Sequence, residues 1–174
     1  LSDKKISENQ AGIPSILVVG AVHSHLVKQG LRGYCSINVE CSDSLDTHSF
    51  AVLIGVGATT VNPYLSIDSI YQRYEKKLFG KSDFNECVLR FKKSIDAGLL
   101  KIMSKMGISV VSSYRGGCNF EAVGLSRAIV SDYFPGMVSR ISGIGVIGIE
   151  KKIKELHKKV SGKNIFTLPI GGYD

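Results

Sequence analysis

Between Phe84 and Met106 the chain places Phe84, Val88, Phe91, Ile95, Leu99, Ile102 and Met106 at steps of 4, 3, 4, 4, 3 and 4. An α-helix returns such a series to one face, because 3.6 residues complete each turn. Lysines occupy the opposite side. Asp83 with Glu86 three residues on is a variant of the capping box, and Gly107 supplies the left-handed exit at the far end. In a protein most of such a helix's stability comes from packing its apolar face, so the remaining residues are expected to provide elements that cover the stripe.

Those elements alternate between two periods. Ile13 to Gly30 carries Pro14 near a first turn and ends in glycine, with Ile16, Val19, Leu26 and Val27 on an apolar face, which predicts a helix. Cys35, Ile37 and Val39 alternate within Tyr34 to Glu40, the pattern of a strand. A polar turn from Cys41 to Asp46 follows, where Asp46 or Thr47 can cap a helix over Phe50 to Val56. Thr59 to Tyr64 reads as a second strand, and the resulting strand, helix and strand form a βαβ unit of the kind that builds parallel sheets. Further along, the pattern predicts a helix over Ile67 to Leu78, a third strand over Ile108 to Ser113, and one or two short helices between Phe120 and Tyr133. A last helix is expected over Ile149 to Lys159 and a short strand over Ile165 to Leu168. With no repeat and no linker in view, residues 1–174 read as a single domain of the α/β class. The alternation resembles part of a (β/α) barrel, because eight strand and helix pairs need about 250 residues.

Composition removes several function classes. The net charge of +7 comes from 22 Lys and Arg against 15 Asp and Glu, but sixteen of the cations are Lys and six are Arg. Arg carries the planar fork that reads base edges, whereas Lys is a solvated point charge. Lys151, Lys152, Lys154, Lys158, Lys159 and Lys163 share one late stretch with Glu150 and Glu155 and no interleaved aromatic residues. That stretch reads as the wet side of a helix, and neither a nucleic-acid nor a membrane partner is expected. Cys35, Cys41, Cys87 and Cys118 lie 6, 46 and 31 residues apart, which leaves no CxxC pair and suggests free thiols in a reducing cytosol. The apolar run from Ile13 to Val22 is too short to span a bilayer, so a soluble cytoplasmic chain is expected. A start at Leu1 and an end at Gly171-Gly172-Tyr173-Asp174 suggest a piece of something longer.

Four constellations could carry chemistry. Gly143-Ile144-Gly145-Val146-Ile147-Gly148 matches the dinucleotide fingerprint by letter, but Pro135 and Gly136 interrupt any long strand before it, and no carboxylate follows at about twenty residues until Asp174. A glycine-rich turn is the expectation. His23 and His25, two apart, point to different faces of a helix and cannot share a metal. His48 lies near Glu40, Cys41, Asp43 and Asp46 in the first strand-to-helix loop, at the end of a parallel sheet where sites form, with helix capping as the plainer alternative. Ser112-Ser113-Tyr114-Arg115-Gly116-Gly117 combines hydroxyls, a cation and two glycines, suiting either a plain loop or contact with an anion or another domain.

Longer strings are more specific. Leu1-Ser2-Asp3, Ile13-Pro14-Ser15-Ile16-Leu17, Gly20-Ala21-Val22-His23-Ser24-His25-Leu26 and Gly30-Leu31-Arg32 are similar to the central domain of the glutamate synthase large chain. So are His48-Ser49-Phe50-Ala51, Gly57-Ala58 and Val61-Asn62-Pro63-Tyr64-Leu65. Gly98-Leu99-Leu100-Lys101-Ile102-Met103-Ser104-Lys105-Met106-Gly107-Ile108-Ser109 and Phe120-Glu121-Ala122-Val123-Gly124-Leu125 resemble it most closely, and order and spacing agree over about residues 1 to 150. Departures from the pattern are Ser24 in place of a third histidine, Gly117-Cys118-Asn119, and Gly148 where an acidic residue is usual.

The resemblance implies a multidomain enzyme that turns glutamine, 2-oxoglutarate and two electrons into two glutamates. Its partners would be an amidotransferase domain that frees ammonia and an FMN domain with an iron–sulfur cluster that reduces the imine. The segment would be the later part of the connecting central domain, regarded as a degenerate relative of the FMN barrel. No catalytic, cofactor-binding or metal-ligating residue is expected within it, and none of the four cysteines maps to the cluster ligands. Two other readings stand beside this one: a solitary non-catalytic remnant of the enzyme, and a basic nucleic-acid-binding module.

Overall fold

The computed structural model describes residues 1–161, so the expected strand over Ile165 to Leu168 and the position of Lys163 lie outside the described residues. Helix α1 spans Ser15–Lys28 and exits through Gly30 at φ +68°, as its glycine stop requires. A 3-10 turn over Arg32–Tyr34 delays the first strand, so β1 covers only Asn38–Glu40 rather than starting at Tyr34. Ile37 and Val39 are buried but Cys35 is exposed, and the two-residue period therefore fails at its first member.

Asp46 caps α2, Thr47–Gly55, by accepting from the Ser49 backbone N–H at 2.9 Å, which starts that helix a turn before the expected Phe50. β2, Thr60–Asn62, then pairs parallel to β1 in the register Val39 to Val61, completing the βαβ unit. Leu1 to Asp3 runs along the outer edge of β1: the Leu1 ammonium donates to the Asn38 carbonyl at 2.8 Å and the Glu40 N–H to the Leu1 carbonyl at 2.9 Å.

Helix α3 follows Pro63 directly, over Tyr64–Glu75, and α4 covers Phe84–Lys105. The Asp83 carboxylate accepts from the Glu86 N–H at 2.6 Å, while the Glu86 carboxylate turns to Arg90, so only one half of the capping box is made. The apolar stripe of α4 packs on α2 and α3. Phe91 meets Phe50 edge to face at 6.4 Å, and Phe84 meets Tyr71 at 5.4 Å. Gly98 permits the close approach, since a Cβ there would lie 2.4 Å from Thr47. Met106 is exposed at the cap and Met103 is buried in its place, beside Ala51 and Tyr114.

The second half corrects the sequence reading. Ile108 to Ser113 is not a strand; Val111–Tyr114 forms a short helix, α5, whose buried Tyr114 packs with Ala51, Met103 and Phe120. The strand lies later: β3, Glu121–Leu125, occupies the start of the region expected to be helical, and α6 is confined to Arg127–Tyr133 behind a Ser126 cap. β4, Val138–Ile144, pairs parallel to β3 through Val123 to Ile141 and Leu125 to Ile144, and α7 runs over Val146–Ser161. The class is therefore α/β with two short parallel pairs. A core of Val19, Ile37, Val39, Leu53, Val56 and Ala58 extends to Ala122, Val130 and Phe134, so elements from both halves bury one another.

Candidate functional site

The end of α1 and the turn after it bring Arg32 against His23. Arg32 Nε donates to His23 Nδ1 at 3.1 Å, Nη1 to the Cys35 carbonyl at 2.7 Å, and Nη2 to the Gly57 carbonyl at 2.9 Å and to Thr59 Oγ1 at 3.3 Å. Guanidinium has no acceptor capacity and stays charged, so Nδ1 must offer a lone pair and the ring is neutral with its proton on Nε2. Burial pushes the His23 pKa below its usual value, and the adjacent Arg32 charge pushes it in the same direction. Two glycines make room for the ring: a Cβ at Gly57, where φ is +129°, would lie 2.4 Å from it, and one at Gly116, where φ is +68°, 3.0 Å. The imidazole lines a cavity of about 450 Å³ together with Ser24, Cys118, Phe134 and Met137. Ser24 Oγ donates to the Tyr133 carbonyl at 3.1 Å and Cys118 Sγ to the Pro135 carbonyl at 3.5 Å. The arrangement fixes a tautomer and locks α1 to the segments that lead into β1 and β2. Sequence reasoning placed His23 on a helix but missed its partner, because nine residues across a helix end follow no period.

The loop after β1 resolves in favour of capping. Asp43 accepts from the Ser15 N–H at 3.4 Å and so caps α1, Asp46 caps α2, and Asp3 accepts from the N–H and Oγ of Ser42 at 2.8 and 2.7 Å. Glu40 receives Lys4 at 2.7 Å and Ser2 Oγ at 2.8 Å, bonds that hold its pKa below the usual carboxylate value. Cys41 is buried against Ser44 Oγ at 2.8 Å, and burial pushes its thiol up to about 11. His48 and His25 are exposed. A thiol held protonated in the core is a poor nucleophile.

Ser112 and Ser113 are exposed on α5 rather than ending a strand. Behind them the loop closes on α2: the Gly116 N–H donates to the Gly55 carbonyl and Asn119 Nδ2 to the Tyr114 carbonyl, each at 2.8 Å. Arg115 Nε is buried with no acceptor among the described residues. In the fingerprint segment β4 begins only after Pro135 and Gly136, takes in Gly143 and is largely exposed, so it is not the buried strand the fingerprint requires. A Cβ on Gly143 would lie 2.1 Å from the Gly124 carbonyl oxygen, and one on Gly148 2.9 Å from Ile144. Both glycines serve packing. Lys151, Lys152, Lys154, Lys158 and Lys159 are exposed on α7, with Lys154 paired to Glu150.

The residues present do not fit an iron–sulfur cluster. Cys41 and Cys87 are buried, Cys35 and Cys118 are exposed, and among the described residues no three His, Cys, Asp or Glu groups converge as metal ligands.

Comparison with known proteins gives this framework its family. The family model of the glutamate synthase central domain matches residues 1–126. The chain belongs to the glutamate synthase central-domain family. Its similarity to members of that family extends past the matched region: a glutamate synthase [NADPH] large chain from Azospirillum brasilense is 56% identical over 99% of the chain, and one from Bacillus subtilis 44% identical over 91%. A ferredoxin-dependent glutamate synthase from Pyropia yezoensis is 40% identical over 99% of the chain. The chain spans 11%, 10% and 12% of these three relatives, about a tenth of each synthase. Among the described residues no helix is long and apolar enough to cross a membrane.

Proposed function

We propose that this segment is part of the connecting central domain of a glutamate synthase, an oxidoreductase that converts glutamine, 2-oxoglutarate and two electrons into two glutamates. Its role is to hold an amidotransferase domain and an FMN domain in register, without a complete active site of its own. The observation that carries this is the family match over residues 1–126, extended by relatives that align across nearly the whole chain. The framework suits such a role, since Asp3, Glu40, Asp43 and Asp46 are engaged in caps and clasps that hold the loops after β1. FMN and the iron–sulfur cluster would sit in the neighbouring domain. The relatives' names divide between NADPH, ferredoxin and NADH, so similarity over this segment does not by itself assign an electron donor.

We read residues 1–174 as one unit whose two βαβ-like halves derive from a partial, degenerate (β/α) barrel. Two parallel strand pairs flanking a shared core support that derivation. A cytoplasmic location and the absence of a nucleic-acid partner belong to the same reading. The test is assembly. Amidotransferase and FMN domains supplied together with the segment should co-purify with it and, given a reductant that supplies two electrons per turnover, convert glutamine and 2-oxoglutarate into two glutamates; failure of both removes the functional half of the proposal.

A further inference from the structure

The family match ends at Ser126, one residue after β3, whereas the strand that pairs with β3 lies beyond it, at Val138–Ile144. One parallel sheet therefore crosses the edge of the central-domain match. Parallel pairs are almost always covered on both faces, because the crossovers that build them lay helices against each side. Among the described residues a single face is covered: Ala122 turns into the core with Val130 of α6. On the other, Val123 and its register partner Ile141 are 64% and 60% exposed, with the register irregular on either side of that pair. Among the described residues β4 pairs with β3 alone, so its outer edge also presents free backbone donors and acceptors.

An apolar face of this kind beside an open edge marks an interaction surface. Its position argues for the occupant. Similarity to the synthases continues through β4 and α7 after the central-domain match has stopped, and about nine tenths of each of those relatives lies outside this segment. We propose that the β3 and β4 pair is the joint between the central domain and the domain that follows it in the same large chain. The Val123 and Ile141 face is covered there by an apolar strand-and-helix layer of that following domain. This rests on the proposed place of the segment in a synthase large chain.

Amide exchange in the complete large chain tests it, with Val39 of the first sheet as internal reference. Val138–Ile144 should exchange at least tenfold more slowly there than in the 174-residue chain alone, with Val39 little changed. Ile141→Lys in the complete chain should speed exchange across β4 at least tenfold and leave Val39 as it was. An exposed isoleucine would accept lysine without effect, so unchanged β4 exchange in that variant overturns the proposal even if the isolated chain does not fold. Protection that appears in the isolated chain as its concentration rises assigns the face to a second copy and also overturns it, as does a coding frame that ends with these residues. Glutamate formation by the complete chain is a separate readout: a productive enzyme with fast β4 exchange refutes the joint alone, and an unproductive one with slow exchange refutes only the reaction.

Discussion

Arg32 Nε donates to His23 Nδ1 at 3.1 Å, and the same guanidinium holds the carbonyls of Cys35 and Gly57. One side chain thus ties the helix α1, the turn after it and the entry to β2, and its bond to α1 through His23 exists only while Nδ1 carries no proton. The sign of the pH effect follows. The folded His23 pKa lies below the unfolded value of 6.5, so between the two the unfolded chain binds more protons. The His23 contribution to stability is complete above pH 6.5 and is lost as pH falls below it toward the lowered folded pKa. Urea midpoints measured between pH 5 and pH 7.5 should rise with pH, and His23→Gln should flatten that rise.

Tyr114 is buried and its hydroxyl donates to the Ala51 carbonyl at 3.1 Å, joining α5 to α2 across 63 residues of chain. Tyr114→Phe keeps the ring contacts and removes that bond. A loss of about 1 kcal/mol in unfolding free energy is expected from denaturant titration.

Gly143 and Gly145 share a motif but not a role. Alanine at Gly143 would drive a methyl group into the Gly124 backbone, which cannot rotate aside, so Gly143→Ala should cost about 1–3 kcal/mol by denaturant titration. At Gly145 the nearest atom is Ser126 Oγ at 3.9 Å, and Gly145→Ala should change stability by less than about 0.5 kcal/mol. Equal costs at the two positions would contradict the packing explanation of the fingerprint.

Thiol titration should separate the cysteines. Cys35 and Cys118 are exposed, Cys87 is buried, and Cys41 is buried with its pKa raised to about 11. With an aromatic disulfide reagent at pH 8, two thiols should react rapidly and two only on unfolding.

The first half of the fold was legible because its signals are local. The α4 stripe from Phe84 to Ile102, the Asp83 and Asp46 caps and the glycine exits at Gly30 and Gly107 each act within a few residues, and the structure places them where the pattern did; only Met106 leaves the stripe. The candidate site was legible only as separate residues. His23 was visible on α1, but its tautomer depends on Arg32, and the room for its ring depends on Gly57 and Gly116 from two other segments.

The second half was misread for a related reason. Ile108, Val110 and Val111 have strand propensity, yet burial of Tyr114 between α2 and α4 winds this segment into a helical turn. Glu121, Ala122 and Leu125 suggest a helix, yet Gly124 sits at φ +77°, outside helical space, and cross-strand pairing with Val138 and Ile141 decides for β3.

By itself the sequence determined the family, the α/β class and every element whose stabilising contacts lie within a turn or two of chain. Tertiary structure decided which segment became the strand beside β4, which glycines were needed for packing, and which histidine became a fixed neutral acceptor. Those outcomes depend on atoms brought together from distant parts of the chain, where no local period records the contact.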